Sequence, residues 1–411
     1  MSAAMVVPTR FIGLDVHKYY LIAVAVDREL NELLSPHRVN LAQLDAWARK
    51  TLTAQDAVVL EMTTNAFQLY DDLQPYVASV TLVHPPHVNL ITRARVMTDK
   101  IAARILARLH AAGLLPPVWV PPQEVRDLRA LLAQRTKMVR LATQAKNRLH
   151  AVLHRHHLAA PAGEPFAPAR RTWWLDLPVT ALERVRIASD LATLTFAHDQ
   201  VAALETTLAD LAAHDDRGPL LIQLPGIGLV AAMTILAALG DVARFPDARH
   251  LVGYAGFGVC VHDSGQTHRV GRITKAGRRD LRFVLVEAAQ VAANTHPHWQ
   301  AELARLEPRL GRNKAIVAIA RRLLVVIWHV MTERLADRKA VPDMVAFKLM
   351  VWSWKLNDLQ RGGLTSRQFI RYQLMQLKLG ETLTHVKRTH PKPIASVEEI
   401  LALKPELRPT S

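Results

Sequence analysis

Ser264 lies between Asp263 and Gly265 and leads into a run dense in positive charge. Arg269, Arg272, Lys275, Arg278, Arg279 and Arg282 are met there by a single acid, Asp280. A hydroxyl beside glycine, followed by arginines, suits a nucleophile that attacks a phosphodiester. Serine is a weak nucleophile until a base, a cation or a metal stabilises its alkoxide. Charge developing on phosphorus needs fixed donors, and guanidinium groups supply them in pairs. The same residues also describe a solvated basic loop with a Ser-Gly turn.

Three carboxylates form the second candidate group. Asp15 ends the first of two apolar runs, residues 11–14 and 21–26, whose short polar connection reads as a strand hairpin. Glu61 follows the buried-strand pattern AVVL, and Asp99 opens the helical stretch DKIAARILARLH, where it or Thr98 would serve as cap. Each acid alone reads as a strand-end solubiliser or a cap. Around them, helices at 41–52 and 66–77 and a strand at 80–83 alternate with the other strands. That alternation predicts an α/β domain with its site at one edge of the sheet. One acid on the first strand, one after a central strand and one opening a late helix would converge on a divalent metal in a ribonuclease-H-like fold. Mg2+ takes carboxylate and water oxygens and serves phosphoryl transfer there.

The elements that must hold these groups are spread over 411 residues, enough for two or three domains with real cores. A formal charge of +16 calls for a polyanionic partner, most simply nucleic acid. The charge is dispersed rather than gathered on one amphipathic helix, which argues against a membrane surface. Cys260 is the only cysteine, excluding an intrachain disulfide and a cysteine-based zinc site; a reducing cytoplasm is the expected compartment. The first residues lack a signal peptide's basic start and apolar run. Residues 218–240 carry no charge and would be long enough to span a bilayer, but Pro225, Gly226 and Gly228 break them into two short helices. No membrane partner is expected.

Between residues 128 and 163 there is no acid, while seven Lys or Arg and four His occur. Leu128, Leu131, Met138, Ala142, Ala145, Leu149 and Val152 keep an a/d spacing that Arg135 interrupts. After a proline-rich break, Leu194, Ala197, Val201, Leu204, Leu208 and Leu211 repeat it. The pair predicts an antiparallel coiled-coil arm, half of a dimer interface, or a helical hairpin within one chain. His150, His154 and His157 share a face and read as basic surface rather than as metal ligands. The PGIG turn at 225–228 resembles a helix-hairpin-helix, in which Gly226 and Gly228 free backbone N–H groups to hold a phosphate without reading sequence. A long apolar helix is expected at 313–338, and further helices beyond 342. The stretch after Thr389 reads as a loose tail.

In this order the pieces IGLDVHKYYLIAVAVD, VVLEMTTNAF, MTDKIAARILA, LPGIGLVAAMTILAALGDVARFPDARHLVGYAGF, SGQTHRVGRITKAGRRDLR and NKAIVAIARRLL resemble the DEDD-type transposases of the IS110/IS116/IS902 insertion-sequence family, relatives of the Piv invertases. The resemblance covers residues 10–339 and is most specific over 224–282. It implies a RuvC-like nuclease domain (1–121), a coiled-coil arm (122–216) and a mostly helical serine domain (217–341); residues 342–411 form an extension longer than the family's usual one. It places Asp15, Glu61 and Asp99 on the acidic, Mg2+-binding motif and Ser264 on the serine motif. The acids of one subunit would work with the serine of another, in a homodimer or homotetramer. The implied chemistry is cleavage and exchange of donor and target DNA strands through a phosphoserine, guided by a structured RNA from the element. One departure matters: the family's second aspartate, three residues after Asp99, is Ala102 here, and Glu61 is followed by Met-Thr-Thr where Ala-Thr-Gly is usual. Two other readings stand beside this one. The first is a RuvC-like nuclease using metal-activated water, with Ser264 structural. The second is a catalytically impaired nucleic-acid-binding remnant of a mobile element.

Overall fold

The computed structural model describes residues 7–87, 98–264 and 267–405, with only the backbone of 261–264 and 267–270. The chain divides into two compact units, Met1–Pro121 and Pro122–Ser411.

The first unit is built on β1 (Arg10–Val16), β2 (Tyr20–Val26), β3 (Glu32–Asn40), β4 (Asp56–Glu61) and β5 (Ser79–Val83), with α1 (Leu44–Thr51), α2 (Ala66–Leu73) and α3 (Asp99–Ala111). The strand order is β3-β2-β1-β4-β5. β1 runs antiparallel to β2 and parallel to β4, and β4 runs parallel to β5. This mixed α/β arrangement is consistent with the RuvC-like expectation. The parallel strands are near-continuous apolar runs because both faces of the sheet are covered. Ile12, Leu14, Val58 and Leu60 pack toward α1 and α2. Val59, Ile22 and Val24 pack toward α3. Asp56, almost fully buried, accepts two hydrogen bonds from Arg10 (2.7 and 2.5 Å) and one from Thr53 N (2.7 Å), which ties β1 to the start of β4.

β3 was not foreseen. Its sequence, ELLSPHRVN, is largely exposed and contains Pro36. Proline cannot donate to a ladder and is tolerated on an edge strand or at a bulge. Both conditions hold: β3 is the sheet edge, and its register with β2 slips between the Ala23 and Ala25 pairs, across Pro36.

The second unit is mostly helical. Helices α4 (Gln123–Arg155) and α5 (Ala181–Ala213), 33 residues each, form an antiparallel hairpin within the chain. Ala142, Ala145, Leu149 and Val152 interlock with Ile187, Leu191, Leu194 and Ala197 over the buried Trp174. The ion pairs Arg155–Glu183, Arg148–Asp190 (2.7 Å) and Arg135–Glu205 (2.6 Å) follow that antiparallel register. Arg135 thus interrupts the apolar spacing because Glu205, itself bound to Lys355 at 2.8 Å, stands opposite. α5 starts earlier than its leucine spacing shows, at the Thr180 cap. Leu211, expected inside, is 43% exposed, while Leu208, Ala209 and Ala212 are buried. There the helix leaves its partner and packs on the globular core, where Trp352 Nε1 donates to Ala209 O (3.2 Å).

That core gathers α6 (Arg217–Ile222), α7 (Leu229–Leu239), the hairpin β6 (Val259–Ser264) and β7 (Thr267–Ile273), α8 (Arg279–Thr295), α9 (Arg312–Glu333) and α10 (Pro342–Ser353). The uncharged stretch 218–240 is two short helices turning at Pro225-Gly226. Among the described residues α9 is the one helix long and apolar enough to cross a membrane, but Ile319, Ala320, Leu323, Leu324 and Ile327 on it are fully buried in the core. The expected loose tail is instead ordered through residue 405. Ile394 and Ala395 are buried, and Ser396 caps a helix at Val397–Leu403. The reason is Arg371: its buried guanidinium donates to the carbonyls of Ala395 (2.8 Å), Gly380 (2.8 Å), Glu381 (3.3 Å) and Leu383. Residues 406–411 lie outside the described chain.

Candidate active site

Register brings the first two acids together. Leu14 pairs with Leu60 on the parallel strands β1 and β4, so Asp15 and Glu61 follow side by side on the face that α3 covers. α3 supplies the third at its first residue, with Thr98 Oγ1 accepting from Ile101 N as N-cap (3.4 Å). What allows α3 so close is Gly13. A Cβ there would lie 2.1 Å from Ala103 O and 2.5 Å from Ala107 N, so helix backbone rests directly on strand backbone. Glycine inside a strand often marks such an approach.

Two residues outside the sequence reading complete the cluster. His17 Nε2 lies 3.3 Å from Asp15 Oδ2 and 3.1 Å from Asp99 Oδ2. Neither contact has the alignment of a good hydrogen bond, so the ring bridges the acids by proximity. Tyr20 donates its hydroxyl to Asp99 Oδ2 (3.0 Å), stacks on His17 (4.6 Å between ring centroids) and lies beneath the Arg38 guanidinium at 3.8 Å. The signal for His17 was present in D-V-H, since residues i and i+2 of a strand share a face.

The electrostatics follow from the crowding. Burial raises the Asp15 pKa; the nearby His17 offsets part of this and the Asp99 charge adds to it. Glu61 is also raised, by burial first and then by the Asp15 charge. The Tyr20 hydroxyl is raised chiefly by its bond to Asp99. One ligand atom each from Asp15, His17 and Asp99 lie within 4.8 Å of one another. Glu61 is outside that tight group and is coupled to it through Asp15. Two acids crowded beside a close nitrogen, with Glu61 next to them, form a donor set that fits a divalent cation, because such a cation would relieve their repulsion.

The serine motif belongs to the second unit. Ser264 is the last residue of β6 and pairs with Thr267 of β7 across Gly265 and Gln266, which lie outside the described residues. The side chains of Ser264 and Arg269 lie outside the description as well. Of the other cations, Arg272, Lys275 and Arg279 are exposed. Arg278 is engaged by Asp280 (Nε–Oδ1 3.0 Å), and Arg282 donates to Ala255 O (2.9 Å). Gly226 has a packing reason of its own: at φ +74°, its added Cβ would lie 2.0 Å from Ala288 O on α8. Gly228 is exposed, with open space around it.

The comparisons with known proteins decide what these parts belong to. Residues 12–158 match the DEDD transposase profile of the IS110 type, and residues 218–304 match the transposase profile of the IS116/IS110/IS902 family. The chain belongs to the IS110/IS116/IS902 family of transposases. A putative transposase, y4qE, of Sinorhizobium fredii is 28% identical over 84% of this chain and 88% of its own length. The transposase for insertion sequence element IS1111A of Coxiella burnetii is 24% identical over 79% and 90%. The pilin gene-inverting protein of Moraxella bovis is 29% identical over 62% and 73%. The matched segments of this transposase contain the acid cluster in the first case and the PGIG turn and β6–β7 hairpin in the second. As a DEDD-type transposase it is expected to hold a divalent metal, and Asp15, His17 and Asp99 are the residues that fit one. Ala102, half-buried, stands one helical turn beyond Asp99 on the same side of α3, where the resemblance expects an aspartate.

Proposed function

We propose that this insertion-sequence transposase cleaves and rejoins DNA strands with Ser264 as nucleophile, aided by an acidic Mg2+ site of Asp15, Glu61 and Asp99. The observation that carries the reading is the convergence of Asp15, Asp99 and His17 at the edge of the sheet, with Glu61 beside them. Ser264 Oγ attacks the scissile phosphorus, forming a P–O bond to the protein as the bond to the departing strand's oxygen breaks. The serine proton passes to a base, for which Asp263 and the acidic site are candidates, and the departing oxygen takes up a proton. A hydroxyl on the incoming strand then reverses the step and releases the serine. Arg272, Lys275 and Arg279, being exposed, are free to neutralise phosphate. Gly226 seats the PGIG turn against α8, and exposed Gly228 leaves the turn's backbone open to bound nucleic acid. The metal, when bound, supplies positive charge to the oxygens that gain charge. Donor and target DNA and a structured guide RNA are the proposed partners, in a homodimer or homotetramer that joins acids and serine from different subunits. The net charge of +16 and the family resemblance support them.

The test is strand cleavage with Mg2+, end-labelled element DNA and co-expressed element RNA. Wild type should give a denaturant-stable protein–DNA adduct that Ser264→Ala loses together with recombination, while Asp15→Asn loses cleavage. Cleavage that survives in Ser264→Ala but not in Asp15→Asn would establish the metal-activated-water nuclease instead. Ala102 favours the third reading, an impaired remnant; no cleavage by wild type would support it, and a sharp gain in Ala102→Asp would trace the damage to that position.

A further inference from the structure

The C-terminal extension has no part in the chemistry above, yet it closes a cavity against the PGIG turn. The cavity, about 610 Å3, lies between that turn, the C-terminal end of α8 and the start of α10. This volume is within the roughly 300–1,000 Å3 typical of small-molecule sites. Its walls are largely apolar: Val291 from α8, and Met344 and Phe347 from α10.

Among the described residues, several lining side chains carry a buried polar atom with no protein partner. Gln223 is 2% exposed, and neither its Oε1 nor its Nε2 is hydrogen-bonded among the described residues. His296, 3% exposed, directs Nε2 at Lys339 O (3.0 Å); the carbonyl can only accept, so in the neutral ring Nδ1 is a free acceptor. Asp343 Oδ2 accepts from Lys387 Nζ (2.9 Å), and its Oδ1 has no partner among the described residues. A buried polar group without a partner costs roughly 1–3 kcal/mol, and buried polar atoms normally find one. Lys348 is not one of the free groups: its ammonium donates to Leu224 O (2.5 Å) and Ile227 O (3.3 Å), fixing the turn that forms the cavity's rim.

A fitting ligand must therefore be mostly apolar, with a hydrogen-bonding edge richer in donors than in acceptors. A carboxamide pairs with the adjacent donor and acceptor of adenine, and the surplus acceptors His296 Nδ1 and Asp343 Oδ1 favour an amino group over a carbonyl. Phe347, 40% exposed, offers a ring for stacking, steadied by the Arg388 guanidinium at 5.7 Å. Lys387, 80% exposed along its side chain, stands at the mouth where a phosphate would pass. We propose that this cavity receives an unstacked amino-bearing nucleobase, adenine foremost, from single-stranded nucleic acid bound along the PGIG turn. The site needs neither Ser264 nor the acid cluster, so it stands or falls independently of the cleavage chemistry.

The test uses full-length protein carrying Ser264→Ala, to prevent turnover, and short single strands with one central adenine, thymine or abasic position. Parallel DNA and RNA series identify the source. Adenine should bind on the order of ten-fold more tightly than the abasic strand in at least one series, and thymine should lie near the abasic strand. A 2-aminopurine at the same position should brighten or shift on binding as it leaves its neighbours. Gln223→Leu should erase the preference. Because Gln223 is buried, Val291→Trp, at a position 49% exposed, provides a second variant that fills the cavity from its rim. It should bring the affinity for the adenine strand to that for the abasic strand. Equal affinity for adenine and abasic strands in both series, or a preference that survives Val291→Trp, overturns the proposal.

Discussion

Replacing Gly13 with alanine should disable the acid cluster without touching any acid. The backbone at residue 13 has an ordinary φ, so alanine meets no conformational objection there. The obstacle is space: the new Cβ would lie 2.1 Å from Ala103 O, 2.5 Å from Ala107 N and 3.0 Å from Leu106 Cβ. Carbon and carbonyl oxygen approach to roughly 3.3 Å, so α3 must retreat from β1 by about 1 Å. Asp99 is the first residue of that helix, while Asp15 and His17 stay with β1. Overpacking a core of this kind costs about 1–3 kcal/mol, and a misplacement of about 1 Å in a reacting constellation can cost on the order of 100-fold in rate. Two assays separate the effects. Thermal unfolding without metal should show a moderate loss of stability. The Mn2+- or Mg2+-induced rise in melting temperature, and strand cleavage where it is measured, should fall far more. A Gly13→Ala protein that folds and keeps the wild-type metal response would refute the inference that this contact sets the distance between the acids.

Other outcomes follow from the same structure. Ala102→Asp should enlarge the Mg2+-induced rise in melting temperature, because it adds a carboxylate one turn from Asp99; an unchanged rise means the site works with the groups already there. Glu61→Gln should stabilise the metal-free protein at neutral pH. The folded carboxyl sits above its usual 4.5, so the penalty for ionising it is absent at lower pH and complete above the raised value; wild type and variant should match in acid and diverge on the alkaline side of that range in pH-dependent unfolding. Burial holds the Lys348 ammonium down to about 7 from 10.5, so the unfolded chain binds the extra proton between those values. Wild type should therefore gain stability relative to Lys348→Met from about pH 7 to 10.5 and lose that gain below, and parallel curves would contradict the assignment. Gly226→Ala should cost about 2–5 kcal/mol in chemical denaturation, combining a left-handed backbone with a clash on α8. Gly253→Ala, near the end of the short helix Ala248–Tyr254 and with open space around the position, should instead stabilise, by at most about 0.5–1 kcal/mol.

Much of the first unit was legible because its strands are buried on both faces and read as unbroken apolar runs, each bounded by polar residues. β3 escaped because an edge strand needs neither alternation nor a full set of donors, and its proline argued against a strand at all. In the hairpin the leucine spacing held while the two helices faced only each other. It failed at Leu211, where a third surface took over the burial. Asp15, Glu61 and Asp99 were marked by their places at element ends. Gly13 and Tyr20 were harder to find, since their importance lies in how β1 and β2 meet α3, and no local pattern encodes that meeting; His17 was marked only by its i+2 spacing from Asp15. The order of residues 389–405 was hidden for a related reason: a polar, proline-containing segment gives no sign that a distant arginine will bind the carbonyl of Ala395 together with those of the loop before it.

That arginine makes the end of the chain a poor place to cut. Arg371 carries a permanent charge inside the protein, and its neutralising environment is a set of main-chain oxygens between residues 380 and 395. Stop codons or fusion junctions placed before that loop would strand a cation in a dry interior, which costs several kcal/mol. Truncated copies of this gene should therefore be recovered as insoluble or proteolysed protein rather than as trimmed, working domains.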